Sequence, residues 1–146
     1  MKTSYFKILL ISLIVAIIGL FTALYLYNKP FLNVSKSKPD IILNSQVLLN
    51  DYQEDENLAN KKYVDKLIQV TGEIVEISID KGTTIVTLKD FNGLSTIICH
   101  MLAEDNLKAL KLEIGNEIII KGICTGYLLD IIMVKCVLIN NGLNEE

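Results

Sequence analysis

The chain contains no arginine and no tryptophan, and it has a single histidine, His100. Arginine and tryptophan are the side chains that most often anchor tight interfaces, so any partner surface here is built from other groups. Acidic residues are absent before Asp40. From Asp40 onward all 17 carboxylates stand against nine of the 14 lysines, a balance of −8 compared with −3 for the whole chain. A domain of that charge repels phosphate backbones and gains nothing from counterion release. A catalytic histidine needs a nucleophile and an orienting partner, and no motif supplies them to His100. The three cysteines, Cys99, Cys124 and Cys136, lack Cys-x-x-Cys spacing, so no zinc site is expected. No carboxylate pair, nucleophile motif, phosphate loop or metal cluster is visible. The reading is therefore of a protein that is not an enzyme and needs no cofactor.

What is present is strongly apolar, with 51% hydrophobic residues and a mean hydropathy of +0.40. The excess is concentrated at the N-terminus. Residues 8–27 form an apolar run of about 20 residues, long enough to cross a hydrocarbon core of about 30 Å. Tyr5 and Phe6 at one end, and Tyr25 and Tyr27 at the other, suit the two interfaces. The run is longer than a signal-peptide core and no small-x-small site follows it, so it predicts an uncleaved single-pass anchor in the cell membrane. Lys2 and Lys7 form a short basic tail, and long domains translocate largely regardless of charge. The globular part is accordingly expected outside the cytoplasm. The segmentation is a tail over 1–7, a transmembrane helix over 8–27, a linker over 28–44, a lead-in helical segment over 45–66, a β domain over 67–140 and a disordered tail over 141–146.

In the lead-in segment Ser45 is the expected N-cap of a helix through Val47, Leu48 and Tyr52. A second helical piece over 55–66 has an acidic start and a lysine-rich end that complement its dipole. Five strands follow. The first, over 67–78, places Ile68, Val70, Gly72 and Ile74 on one face, with a bulge near Val75. Asp80-Lys81-Gly82 turns into a strand over 83–89, and Asn92-Gly93 into one over 95–101. A short helix over 103–112 presents Ala103, Leu107 and Leu110 on one face. Strands over 117–124 and 130–139 complete the set. Outward Glu117 and Lys121 place Ile118, Ile120, Gly122 and Cys124 inside. Outward Lys135 places Ile132, Val134, Cys136 and Leu138 inside, and outward His100 does the same for Ile97, Cys99 and Met101. The fold class is all-β with minor helices. Five strands, a bent glycine-bearing first strand and a helix between the third and fourth make the order of an OB-fold barrel.

The segments Ala59-Asn60-Lys61-Lys62-Tyr63, Val70-Thr71-Gly72-Glu73-Ile74 and Ile120-Lys121-Gly122-Ile123-Cys124-Thr125-Gly126, with Lys66, Gly115, Asp130-Ile131 and Cys136, resemble the bacterial tRNA_anti-like family over about 45–139. That resemblance implies an envelope-associated OB fold related to the anticodon-binding OB domain. Many relatives carry a lipoprotein cysteine where this chain has its apolar run. The family name implies a single-stranded nucleic-acid ligand. In an OB fold strands three and five are neighbours, so the inward cysteines are either three core thiols or include a Cys99–Cys136 disulfide.

OB folds hold single strands with aromatic platforms on strands two and three and a basic groove, and neither strand has an aromatic residue. Lys81, Lys89, Phe91 and Tyr127 are the groups near that face. The leading expectation is a non-catalytic binding module, tethered to the membrane, for a protein or small envelope ligand. Its candidate ligand-binding residues are Lys81, Lys89, Phe91, Tyr127 and Leu128, beside apolar Ile119, Ile123 and Leu129. The alternative is an RNA- or DNA-binding protein of the anticodon-binding OB type.

Overall fold

In the computed structural model the chain is described over residues 12–22, 33–89 and 95–139. It divides into two units, Met1–Leu32 and Asn33–Glu146. In the first unit residues 12–22 are helical, and apolar side chains such as Leu13, Val15 and Phe21 are exposed. Among the described residues no helix is long and apolar enough to cross a membrane. The remainder of the 8–27 run, the Asn92-Gly93 turn and the tail over 141–146 lie outside the described residues.

The second unit is a closed barrel built around one long strand. Strand β1 is Ile41–Asn44, β2 Leu67–Asp80, β3 Thr83–Leu88, β4 Ile97–Met101, β5 Glu117–Tyr127 and β6 Ile131–Leu138. The sheet order is β1-β2-β3-β4-β6-β5, and β2 closes it by pairing with β5. The first half of β2 pairs with β5 and the second half with β3. The strand therefore has to bend, and Gly72 sits at the bend. A Cβ there would lie 2.9 Å from Ser45 Oγ and 3.2 Å from Leu88 Cδ1. The register shifts between Ile74 and Glu76, as the out-of-phase sequence requires. Residues 41–44, read from sequence as linker, instead form β1, parallel to β2 beside the part that β3 does not reach.

Helix α1 (Ser45–Glu54) and helix α2 (Glu56–Tyr63) cover one end of the barrel. Asn44, not Ser45, caps α1, with its side chain accepting from Val47 N–H; Ser45 is buried against the bend of β2. Asp55 caps α2 by accepting from Leu58 N–H. At the other end the single helix expected over 103–112 is a 3-10 turn, Ala103–Asp105, followed by the short α3, Asn106–Ala109. Ala109 is buried there, while Leu107 and Leu110 are exposed, because one helical turn cannot bury a whole face.

Phase in the last strand also departs from expectation. Ile131 and Met133 are in the core, while Ile132 and Val134 are half-buried on the outer surface. Lys135 has φ +53, and the register shifts around it, so the alternation resets before Cys136. Cys99, Cys124 and Cys136 are all buried free thiols. Cys136 lies in hydrogen-bonding contact with Cys99, and burial and that contact raise its pKa well above the ordinary thiol value. Burial likewise raises the Cys124 thiol. All three should resist iodoacetamide in the folded chain and react as three equivalents on denaturation. Recovery of one equivalent alone would reveal a Cys99–Cys136 bridge.

Candidate functional site

The lead-in segment and the β5–β6 hairpin meet at one end of the barrel. Tyr52 and Tyr127 stack with ring centroids 5.5 Å apart, and Tyr63 packs on Tyr52 at 6.0 Å. Tyr52 OH lies 3.5 Å from Cys124 Sγ, and burial followed by that contact raises its pKa. Tyr63 OH and Lys62 Nζ both donate to Asp51 Oδ2, at 2.6 and 2.7 Å. The Lys62 bond is the first cause of a lowered Asp51 pKa, and the Tyr63 bond is the second. These contacts fix α1 and α2 on the hairpin. Tyr127, half-buried under Tyr52 and 3.3 Å from Ser95 Oγ through its hydroxyl, is therefore a structural ring and not an open stacking platform.

The hairpin tip is open. Leu128 is 78% exposed and Leu129 is 81% exposed. Leu129 has φ +91, a conformation that leucine adopts at a cost. Asp130 holds it there: its Oδ1 accepts from Thr96 N–H at 2.7 Å and from Thr96 Oγ1 at 2.8 Å, and its carbonyl accepts from Leu128 N–H. The only carboxylate of the turn is thus turned back onto the barrel. Between the tip and α2 runs a groove of about 640 Å³, lined by Asn60, Lys61, Val64, Gly126, Leu128 and Ile132 among others.

The other residues expected at the site lie elsewhere. Lys89 lines a separate hollow of about 400 Å³ with Asn44, Thr71, Glu73 and Glu117. Lys81, at φ +47, belongs to the β2–β3 turn. Phe91 lies outside the described residues. Ile119 and Ile123 are half-buried, and Ile123 packs on the small cluster of Val34, Leu67 and Val137. The candidate set is therefore not one surface: only Tyr127 and Leu128 come together. The outer face of β2–β3–β4–β6 carries the cross-strand rows Glu76, Thr87, Ile98, Ile132 and Ser78, Ile85, His100. Neither row has a lysine or an aromatic residue.

Two features escaped the sequence reading. Lys121 faces outward, as expected, yet it is only 5% exposed. Its Nζ donates to Ser37 O at 2.9 Å and to Ser35 O at 3.2 Å. Ser35 Oγ reaches Glu104, Val34 is buried, and Asp40 exchanges hydrogen bonds with Leu67. Residues 33–40 are thus strapped across the barrel wall. The second feature is Asn60, a residue lining the groove beside the tip, whose Oδ1 is buried out of reach of solvent with no hydrogen-bond partner. Neither is signalled by local sequence, since each depends on a segment that packs from far along the chain. Among the described residues no group of three or more metal-ligating side chains comes together.

The chain resembles a lipoprotein from Klebsiella pneumoniae described as a candidate nucleic acid-binding protein, at 18% identity and a TM-score of 0.58, over 67% of this chain and 91% of that one. Other similar structures are the Stn1–Ten1 complex of S. pombe (18% identity, TM-score 0.42, 51% of this chain and 59% of that one) and asparaginyl-tRNA synthetase from Pyrococcus horikoshii (16%, 0.40, 54% and 20%). At 18% identity the likeness to the Klebsiella lipoprotein is one of fold. No curated protein matches the chain. The tRNA_anti-like family model matches residues 1–138. With a bent β2, a closed five-strand barrel and that match over nearly the whole length, the chain belongs to the tRNA_anti-like family.

Proposed function

We propose that this is a single-pass membrane protein whose barrel is a non-catalytic binding module, on the extracytoplasmic side, for a protein or small envelope ligand. The observation that carries the reading is the hairpin tip: two consecutive exposed leucines, one in a costly backbone conformation, next to a groove. Exposed apolar groups held in this way suit recognition. The exposed apolar side chains of residues 12–22 support the anchor. A photo-crosslinker at position 128 in intact cells should yield a defined adduct that Leu129→Ser abolishes. The same crosslinker at Leu107, 75% exposed on α3, should not yield it. Equal adducts from both positions would refute the surface. A reporter fused after Glu146, active on one side of the membrane only, tests the topology.

A second reading is binding of single-stranded nucleic acid, favoured by the family and by the Klebsiella lipoprotein's description. Against it stand the −8 balance and an outer face without lysine or aromatic rows. Labelled oligonucleotides titrated at low salt decide between the two. Binding that weakens steeply as salt rises would replace the first reading by this one.

A further inference from the structure

We infer that the end of the barrel carrying α3 rests on a lipid surface, with Leu107, Leu110 and Ile79 at the boundary of headgroups and acyl chains and the lysines of the strap on anionic headgroups. This rests on the single-pass anchor proposed above and goes beyond it, because an anchor alone does not lay any face of its domain on the bilayer.

The apolar face is assembled from two elements. Leu107 on α3 is 75% exposed, Leu110 directly after it 43%, and Ile79 near the end of β2 61%. Leu107 and Leu110 are three positions apart and share one side of the helical turn. Ile79 is the cross-strand partner of Thr84, so both point to the same side of the sheet. Thr84 is fastened to α3: its N–H donates to Asn106 Oδ1 at 3.0 Å and its hydroxyl to Asn106 O at 3.2 Å. Three exposed apolar side chains thus gather at one end of the barrel, which suits contact with another apolar phase.

The tether enters at that same end, and this decides which phase. Ser35 Oγ donates to Glu104 Oε1 at 3.1 Å, and Ser35 lines one hollow with Lys108 and Leu138. Only residues 28–32 separate Asn33 from the apolar run. Fully extended, they reach about 20 Å, whereas a domain of this size is about 30 Å across. The opposite end of the barrel therefore cannot turn to the bilayer. Leu138 marks the tethered end of β6, and Ile132, which lines the groove at the hairpin tip, lies six positions back, about 20 Å away. Charge acts in the same direction. The stretch before Asp40 brings Lys29, Lys36 and Lys38 and no carboxylate, and Lys36 and Lys38 are exposed. Anionic headgroups attract a basic segment beside an anchor, while the remainder of the domain, at −8, is repelled. The field turns the strap and α3 toward lipid and the groove away from it.

The chain has no tryptophan, so a single introduced one reports its own surroundings. The test places the full chain in vesicles of phosphatidylcholine and phosphatidylglycerol, with and without brominated acyl chains, which quench indole fluorescence on contact. Leu107→Trp should lose about half of its emission to the brominated lipid. Leu58→Trp should lose none; position 58 is 62% exposed on α2, whose Asn60 and Lys61 line the groove. Ile14→Trp, in the apolar run, reports the anchor and should be quenched. Added to Leu107→Trp, either Ile79→Glu or the pair Lys36→Glu and Lys38→Glu should restore most of the emission while leaving the melting temperature unchanged. The proposal is overturned if Leu107→Trp is quenched no more than Leu58→Trp, or if it stays quenched in either charge variant. Should this occur while Ile14→Trp is quenched, the docked face falls and the anchor stands. If Ile14→Trp is not quenched either, both fall. A defined protein adduct from the crosslinker at position 107 in cells would assign the face to a protein and overturn the lipid reading as well.

Discussion

Gly122→Ala should lower the stability of the barrel by about 3 kcal/mol, which for a domain of this size is a fall of roughly 10 °C in Tm. The mechanism is overpacking at a point with no slack. A Cβ on Gly122 would lie 2.5 Å from Cys136 Sγ, 3.2 Å from the Val134 carbonyl and 3.3 Å from Met133 Cε. Cys136 and Met133 are fully buried, and Val134 O is backbone. Gly72→Ala should cost less, because its closest contact, Ser45 Oγ at 2.9 Å, is longer than the 2.5 Å at Gly122 and is the rotatable end of a side chain. The same contact predicts a suppressor. Cys136→Ala removes the sulfur that the new methyl meets, so Gly122→Ala with Cys136→Ala should be more stable than the sum of the two single changes allows. Thermal melts of the four proteins, followed by far-UV circular dichroism, measure that coupling. Strict additivity would show that the clash is absorbed elsewhere.

Lys121→Met should release the strap over residues 33–40 without unfolding the barrel. The ammonium of Lys121 is buried and satisfied by two carbonyls, Ser35 O and Ser37 O. Methionine fills similar space but donates nothing. Both carbonyls, on exposed Ser35 and half-buried Ser37, would then lose their donor, at about 1 kcal/mol each, and the strap would gain by lifting away so that water can reach them fully. Lifting also uncovers Val34 from Leu67 and Val137, so the total cost is limited to what the strap contributes, about 2–3 kcal/mol. Hydrogen exchange should show the Lys36 and Ser37 amides, which donate to Asn33 O, exchanging at least tenfold faster, with β2 and β4 unchanged. Uniform acceleration across all strands would mean that Lys121 supports the whole fold and not the strap alone.

Much of the barrel was legible because alternation along a strand has a period of two. It placed Ile68, Val70 and Ile74 of β2 and Ile97, Cys99 and Met101 of β4 inside, and it located the bulge beyond Ile74 from Glu76 and Ile77 falling out of step. The same rule failed in β6 because Lys135 takes a left-handed conformation, which nothing in a Val-Lys-Cys stretch announces. It also assigned Lys121 to the outside correctly but could not reveal that another segment covers it. Of the candidate site, Tyr127 and Leu128 were found as loop residues, yet the stacking of Tyr127 on Tyr52 joins positions in different elements that no local pattern links. Lys81 and Lys89 were grouped with them by analogy with other OB folds, but Lys81 sits in the β2–β3 turn and Lys89 lines a separate hollow. Asn60 was invisible for a different reason: an orphaned carbonyl is a property of what fails to arrive.

The strap sets an order of events in folding. Ser35 and Ser37 leave the ribosome early, but the lysine that holds them lies 86 and 84 positions later. The Val137 surface beneath Val34 is later still. Closure of the barrel is equally non-local, since Leu67 pairs with Ile123. At about 5–20 residues synthesised per second, the first segment of the domain waits several seconds for its partners. The domain therefore completes only once β5 and β6 have been made, and pulse-labelled nascent chains should become protease-resistant in one late step, not in stages.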